Sequence, residues 1–555
     1  MPQETDVLVV GAGPAGLTAA VTLAGHGVRN IRVVDRAAGP TTQSRANIVH
    51  ARTLEVLDRL GLAERTVAAG LRITRVDLHE RGRPVAGIPL TGDAAAVEGR
   101  TRFPHALSLE QSRTERILGD RLAELGVTVE RRTEAVSLTD TGTAVRVALR
   151  RHSTPDGAAG AAAGDEVVDA RWVIGADGAS STVRRALGLD FGGTTYRQTG
   201  LLADVLLDVD LPPDRLRLNL VRGGFVGILP LGGRRYRLFG AVPPGFVTTA
   251  GRDGEPSHEA YAALPEADLR AWFSDYFQVT GTVEDVLWAS LFRVHSRIAD
   301  RFRRGRVFLA GDAAHIHSPA GGQGLNLGVG DAANLAWKLA LVARDEAPPA
   351  LLDTYEPERT AVARTVLRRT DRGFALEVTS NPVAVWLRAN LMARTIGVVA
   401  RQRPVRRGVF RMLSQTWIAY RGGVAVGPGR AGRGGPAPGD RAPHAPLEKG
   451  ESGAGVLDLL RSPGYHLLVF TAAGESVCAE LAEALRARYR AAVGVREIPP
   501  GEAAARRAYG VRGSALVLLR PDGHLALIAD TGPAGRGALT THLDGVLLRR
   551  PGVPD

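Results

Sequence analysis

Over the first 35 residues the apolar positions come in runs rather than in alternation. Asp6–Val10 is a short apolar run, Leu17–Ala24 has helical composition, and Ile31–Val34 is a second run that ends in Asp35. Uninterrupted runs of this length suit strands buried on both faces, so the pattern predicts strand, glycine turn, helix and strand, one βαβ unit of about 30 residues. Two further runs, Ala170–Ala176 and Arg306–Ala310, each lead into an acidic turn and then a helical segment. From about Thr194 to Val294 the pattern changes to short strands, among them Leu201–Val205, Phe225–Pro230 and Tyr236–Gly240, joined by glycine-rich turns. That spacing predicts a separate antiparallel sheet. Ser153–Asp165, an Ala/Gly stretch after Pro155, reads as a long hairpin loop. Residues 361–420 read as helical and basic, and 426–446 as a Gly/Pro-rich linker. Beyond it lies a small α/β unit with strands at Tyr465–Phe470 and Ala515–Leu519 and a helix at Glu475–Tyr489.

A chain of 555 residues accommodates three or four such units. Its net charge of +12 rests on 68 arginines and two lysines, Lys338 and Lys449, which with 67 glycines reads as compositional bias. A basic nucleic-acid-binding protein is the alternative from another class. The arginines are scattered, however, and aromatics make up only 5%, leaving few platforms for base stacking. The single cysteine, Cys478, excludes an intramolecular disulfide and a thiolate-held cluster. No apolar run reaches the ~18 residues of a membrane helix. With no charged-then-apolar leader at the start, the expected location is the cytoplasm.

The chemistry begins at Gly11, Gly13, Pro14, Ala15 and Gly16, a GxGxxG loop between the first strand and its helix, with Asp35 about twenty residues on. Glycines there permit a tight turn and close backbone approach, the helix N-terminus presents N–H groups to a diphosphate, and the acid accepts ribose hydroxyls. FAD or NAD suits this slot better than NADP, whose 2′-phosphate an aspartate would repel. Asp177-Gly178 and Gly311-Asp312 place two more acidic turns after strands, at the edge where open α/β sheets bind ligands.

Together with Pro319, Gly322, Gly324, Leu325, Asn326 and the segment Asp331–Leu339, these motifs resemble the class A flavoprotein aromatic monooxygenases, the family of para-hydroxybenzoate hydroxylase, phenol hydroxylase and the polyketide oxygenases. The resemblance covers residues 4 to 375. It implies an α/β fold: a Rossmann-like FAD domain of the glutathione-reductase type (1–75, 101–185 and 290–375) with an inserted antiparallel substrate sheet (76–100 and 186–289). A helical connector (376–425), the linker (426–446) and a thioredoxin-like domain without CxxC (447–555) complete it. It places Gly13, Pro14 and Ala15 on the diphosphate, Asp35 and Arg36 at the ribose, Gln111 beside the flavin, Val136 at the adenine and Asp312 on the ribityl chain. Arg45 matches the arginine that helps flavin and nicotinamide meet, and Pro319 lies at the flavin edge. The helix from Gly324 would aim its N-terminus at the flavin pyrimidine.

The implied reaction is NADPH- or NADH-dependent reduction of FAD, formation of a flavin C4a-hydroperoxide with O₂, and hydroxylation of a bulky phenolic ring of polyketide type. A Baeyer–Villiger oxygenase on the same scaffold is the nearest alternative. Candidate substrate-lining residues are Phe225, Ile228, Pro230, Leu231 and Phe239, on a wall whose obvious charges are Arg222 and Arg237. No metal is expected: His315 and His317 lack a third ligand at metal spacing, and His315 is expected to bond the following loop. Asp331 is expected to tune a helix start. The C-terminal unit is read as structural or oligomer-forming, compatible with a homodimer.

Overall fold

The computed structural model describes residues 3–42, 46–80, 82–90, 101–153, 164–221, 224–242, 262–318, 320–379, 381, 402–429, 432, 434–448, 455–474 and 477–552. Arg45, Arg222 and Pro319, all singled out by the sequence, lie outside the described residues.

The chain is a mixed α/β protein with several sheets. Its N-terminal βαβ unit forms from the strand Gln3–Val10, the helix Pro14–Gly25 and the strand Ile31–Asp35, with Val9 opposite Val33 in parallel register. On the other side of the first strand lies Gly164–Gly175, also parallel, and beyond it Val307–Leu309. The C-terminal ends of these strands therefore share one edge, which brings the glycine loop, Asp177-Gly178 and Gly311-Asp312 together. The strand expected at Ala170–Ala176 starts earlier, at Gly164, because its first half pairs antiparallel with Val145–Arg151. Val136 sits half-buried on Thr133–Asp140, which among the described residues pairs only with Val145–Arg151.

A nine-stranded sheet holds the strands read as a separate antiparallel unit. Its spine is a pair of 19-residue strands, Phe191–Val209 and Gly281–Ala299, paired antiparallel from Phe191↔Ala299 to Val209↔Gly281 with three register shifts between. Arg75–Glu80 and Arg83–Pro89 extend it through a parallel pairing of Arg75–Glu80 with Arg215–Val221. One face packs on Leu269, Trp272, Phe273 and Phe277.

The C-terminal sheet runs Val493–Ile498, Tyr465–Phe470, Ala515–Leu519, Leu525–Ala529. Period-two alternation divides its side chains. Leu468, Phe470, Val517 and Leu519 enclose a core of their own, whereas Leu467, Val469, Leu516 and Leu518 join the core of the first sheet. The expected linker is likewise docked rather than free: Gly427 and Gly439 donate N–H bonds of 2.7 Å to the carbonyls of Ala526 and Leu525. Its glycines allow that approach, since a Cβ on Gly435 would lie 2.4 Å from the Tyr509 carbonyl oxygen. Among the described residues no helix is long and apolar enough to cross a membrane.

Candidate functional site

A single cavity of about 1360 Å³ runs from the shared strand edge to the nine-stranded sheet. Gly13, Pro14, Ala15, Arg36, Gln111, Asp177, Gly178, Gly311, Asp312, Gly322, Gly324 and Leu325 line its first end, and Phe225 and Phe239 its second. The volume exceeds the roughly 300–1,000 Å³ of a pocket for one drug-sized ligand, so it has room for a dinucleotide and a second molecule.

At the first end two helices present their N-termini. Pro14 at N1 of the Pro14–Gly25 helix sacrifices no bond, and the first-turn N–H groups lack intrahelical partners. A Cβ on Gly13 would meet nothing within 4 Å, whereas one on Gly16 would lie 1.9 Å from the Gly11 carbonyl oxygen. The loop is thus closed behind and open in front, a cradle shaped for a diphosphate. The Gly324–Ala343 helix brings the second N-terminus, joined to the first by a contact of small residues: a Cβ on Gly328 would lie 3.2 Å from the Gly311 Cα and 3.4 Å from the Ala15 Cβ. Both positive helix ends favour an anionic ligand, so the residues present fit FAD.

Several expected ligand residues also have structural work. The Asp35 carboxylate folds back to accept N–H bonds from Ala12 (2.6 Å) and Ala37 (2.7 Å) and does not line the cavity, a consequence of its short side chain. Asp177 accepts from Ser181 Oγ (2.6 Å) and Val183 N–H (3.1 Å), and burial pushes its carboxyl above the usual range. Asn326 lies behind the wall: its amide donates to the Ile48 and Gly322 carbonyls and accepts from His50 N–H and Thr53 Oγ1. Gln111 donates to Glu115 Oε1 at 2.9 Å. Gly11 and Gly16 shape the loop without lining the cavity, and Val136 does not line it either.

Further corrections concern Asp331, His315, Ile228, Pro230 and Leu231. Asp331 lies inside the Gly324–Ala343 helix, not at its start, and is fully buried. Its carboxylate accepts from Gly311 N–H (3.0 Å), His315 Nε2 (2.8 Å) and Arg359 Nε (2.6 Å), so His315 bonds Asp331 rather than the following loop. Burial alone would raise the Asp331 pKa, but Arg359 and His315 hold it below the usual carboxylate range. On the sheet, Ile228 belongs to the core on the face away from the cavity, and Pro230 shares its parity. Leu229 lines the cavity instead, and Leu231 does not. Residues expected only as a connector also contribute: Glu377, Thr379, Phe410, Leu413 and Ser414 line the cavity. Among the described residues no group of three or more His, Cys, Asp or Glu could hold a metal ion.

Burial keeps His50 and His524 neutral, lowering each imidazole from 6.5 to about 4. Between those pH values the unfolded chain binds protons that the folded chain does not, so stability is expected to fall as pH drops from 6.5 towards 4. The slope is up to about 1.4 kcal/mol per pH unit for each histidine. Urea midpoints at pH 7.5 and pH 5 measure this, and equal midpoints would contradict it.

The shared strand edge, the glycine cradle and two helix ends facing one cavity define a flavoprotein with room for a substrate. The chain belongs to the FAD binding domain family, which matches residues 4–370, and the family described as aromatic-ring hydroxylase, C-terminal, matches residues 435–549. It is 37% identical over 573 residues to 6-methylpretetramide 4-monooxygenase of Streptomyces rimosus, covering 99% of this chain and 95% of that protein. Among solved structures it resembles CabE, an aromatic hydroxylase from angucycline biosynthesis (TM-score 0.73, 31% identity, 98% of both chains). It also resembles the flavin-dependent monooxygenase PieE in complex with FAD and substrate (TM-score 0.78, 27% identity, 98% of this chain and 99% of that one). The chain is an FAD-dependent aromatic monooxygenase.

Proposed function

We propose that this enzyme uses NADPH or NADH and O₂ to hydroxylate the ring of a flat, neutral, polycyclic phenol. The observation that carries this reading is the single cavity joining the glycine cradle to an apolar wall that includes Leu218, Leu229, Phe239 and Phe292. Of the arginines that this sheet sends to the cavity, Arg237, Arg293 and Arg297, the first is neutralised by Asp204: both are buried, and the Trp288 indole N–H adds a 3.0 Å bond to the same carboxylate. Such a wall rewards burial of fused rings at about 25 cal/mol per Å².

Bound FAD, once reduced, supplies the electrons that let one oxygen atom enter the ring while the other leaves as water. The chain's own residues bind, orient and exclude water. Gly13–Ala15 and the Gly311-Asp312 turn would hold the diphosphate and ribityl chain, and the N-terminus of the Gly324–Ala343 helix would stabilise negative charge on the reduced ring. In this reading the eight-stranded sheet with its helices is the cofactor unit and the nine-stranded sheet the substrate unit. Arg45 is assigned to the meeting of cofactor and reductant, and Pro319 to the flavin edge. The aromatic hydroxylase among the structural relatives supports ring hydroxylation over Baeyer–Villiger insertion.

The test supplies the purified protein with NADPH or NADH, ¹⁸O₂ and a panel of anthraquinones, angucyclines and simple phenols. A yellow protein and a product carrying one labelled oxygen are expected, with polycyclic substrates preferred. A colourless protein that takes up no FAD, or a preference for small benzoates, overturns the reading.

A further inference from the structure

The C-terminal sheet ends in a turn, Arg520–His524, that is driven into the flank of the FAD-binding half. Arg520 has no exposed surface, and Asp522 and His524 are buried. The Arg520 guanidinium spans both oxygens of Glu358 (2.7 and 2.9 Å) and Asp522 Oδ2 (2.6 Å). Glu358, on the helix Tyr355–Glu377, also receives Lys338 of the Gly324–Ala343 helix at 2.8 Å. Arg520 lies 5.0 Å from the centroid of the Tyr420 ring, whose hydroxyl accepts from Arg359 Nη1 at 3.0 Å. Arg359 is the residue after Glu358 and donates to Asp331, which in turn accepts the Gly311 N–H. An unbroken series of buried contacts thus runs from the C-terminal turn to the Gly311-Asp312 turn on the cavity wall. A second branch reaches the wall through Arg52, which donates to the Asp522 carbonyl (2.7 Å) two residues after His50.

Stability alone is a weak reason for such a joint. Buried ion pairs pay a desolvation cost that well-packed apolar side chains avoid, and the apolar face carrying Leu516 and Leu518 already docks the sheet. What directional bonds add is a fixed orientation of the groups they connect. Resting on the FAD reading above, we propose that the Arg520–His524 turn is a positioning element for the cofactor. It holds Tyr420 and Arg359, and through them Asp331 and the Gly311-Asp312 turn, so FAD affinity depends on residues that do not line the cavity. The C-terminal unit is then part of the cofactor site rather than an appended oligomerisation module.

The test titrates FAD into the FAD-stripped full chain and follows flavin fluorescence, with thermal midpoints measured in parallel. Tyr420→Phe keeps the ring and removes one hydroxyl, and Arg520→Lys keeps the charge and removes the two-pronged grip. Each is expected to raise the FAD Kd about fivefold or more, the lower end of ordinary coupling between sites. The double variant should be no weaker than the worse single one, as for members of one network. Val517→Ala, in the core that the C-terminal unit keeps to itself, is the control: it should lower the thermal midpoint and leave the FAD Kd unchanged. Unchanged FAD Kd in both network variants, or an equal rise in Val517→Ala, overturns the proposal. A wild-type chain that takes up no FAD overturns the FAD reading itself.

Discussion

Gly16→Val is expected to yield protein with less than about a tenth of the wild-type flavin, the equivalent of at least ~1.4 kcal/mol of lost binding free energy. A Cβ at position 16 would lie 1.9 Å from the Gly11 carbonyl oxygen, and Gly11 cannot retreat: at φ +102° its own Cβ position is 2.3 Å from the Ala176 carbonyl oxygen. The side chain therefore displaces either the loop or the helix N-terminus, the two parts that form the cradle. Gly13→Ala separates shape from folding. Gly13 has an extended backbone and open space where its Cβ would stand, so this variant should keep the wild-type thermal midpoint in the FAD-free state. It should nonetheless bind FAD more weakly, because the methyl group occupies the mouth of the cradle. Flavin absorbance after gel filtration and an FAD titration distinguish the two, and full flavin content in Gly16→Val would sink the assignment of this loop to the diphosphate.

The cradle was legible in the sequence because every part of it is local: an apolar run, glycines at fixed offsets, a helical segment and an acid at the end of the next strand. The substrate wall was legible only in outline. Phe225–Pro230 is apolar at nearly every position because one face meets the sheet's own core and the other meets the cavity. Alternation cannot reveal which of Ile228 and Leu229 faces the ligand when both faces are apolar. The Asp331 hub was hidden for a different reason. Its partners lie 20, 16 and 28 residues away, and the Gly324–Ala343 helix is buried on nearly all sides, so no periodicity marks Asp331 as interior. The joint between Glu358 and Arg520 spans 162 residues. Its one sequence signal was the pair Arg520 and Asp522 between two wholly apolar strands, a place where charges find no water and need partners.

Asp331→Ala is expected to cost about 3–5 kcal/mol, the usual penalty for removing one partner of a buried ion pair. The loss is large because the carboxylate serves three donors at once. Without it, the Arg359 guanidinium, 1% exposed, keeps its charge with only Tyr420 and the Leu327 carbonyl as neutral acceptors. His315 Nε2 and the Gly311 N–H lose their acceptor in the same step, and a buried donor left unpaired costs about 1–3 kcal/mol on its own. Because folded domains are stable by only about 5–15 kcal/mol, the urea midpoint should drop steeply. Flavin should be lost earlier in the titration than the fold, since the Gly311-Asp312 turn is the part that Asp331 restrains directly. Asp331→Asn keeps an acceptor oxygen without the charge, so it should restore part of the midpoint and leave Arg359 uncompensated. An alanine variant with a wild-type urea midpoint and full flavin content would mean that the Gly311 turn is held by the helix contacts alone.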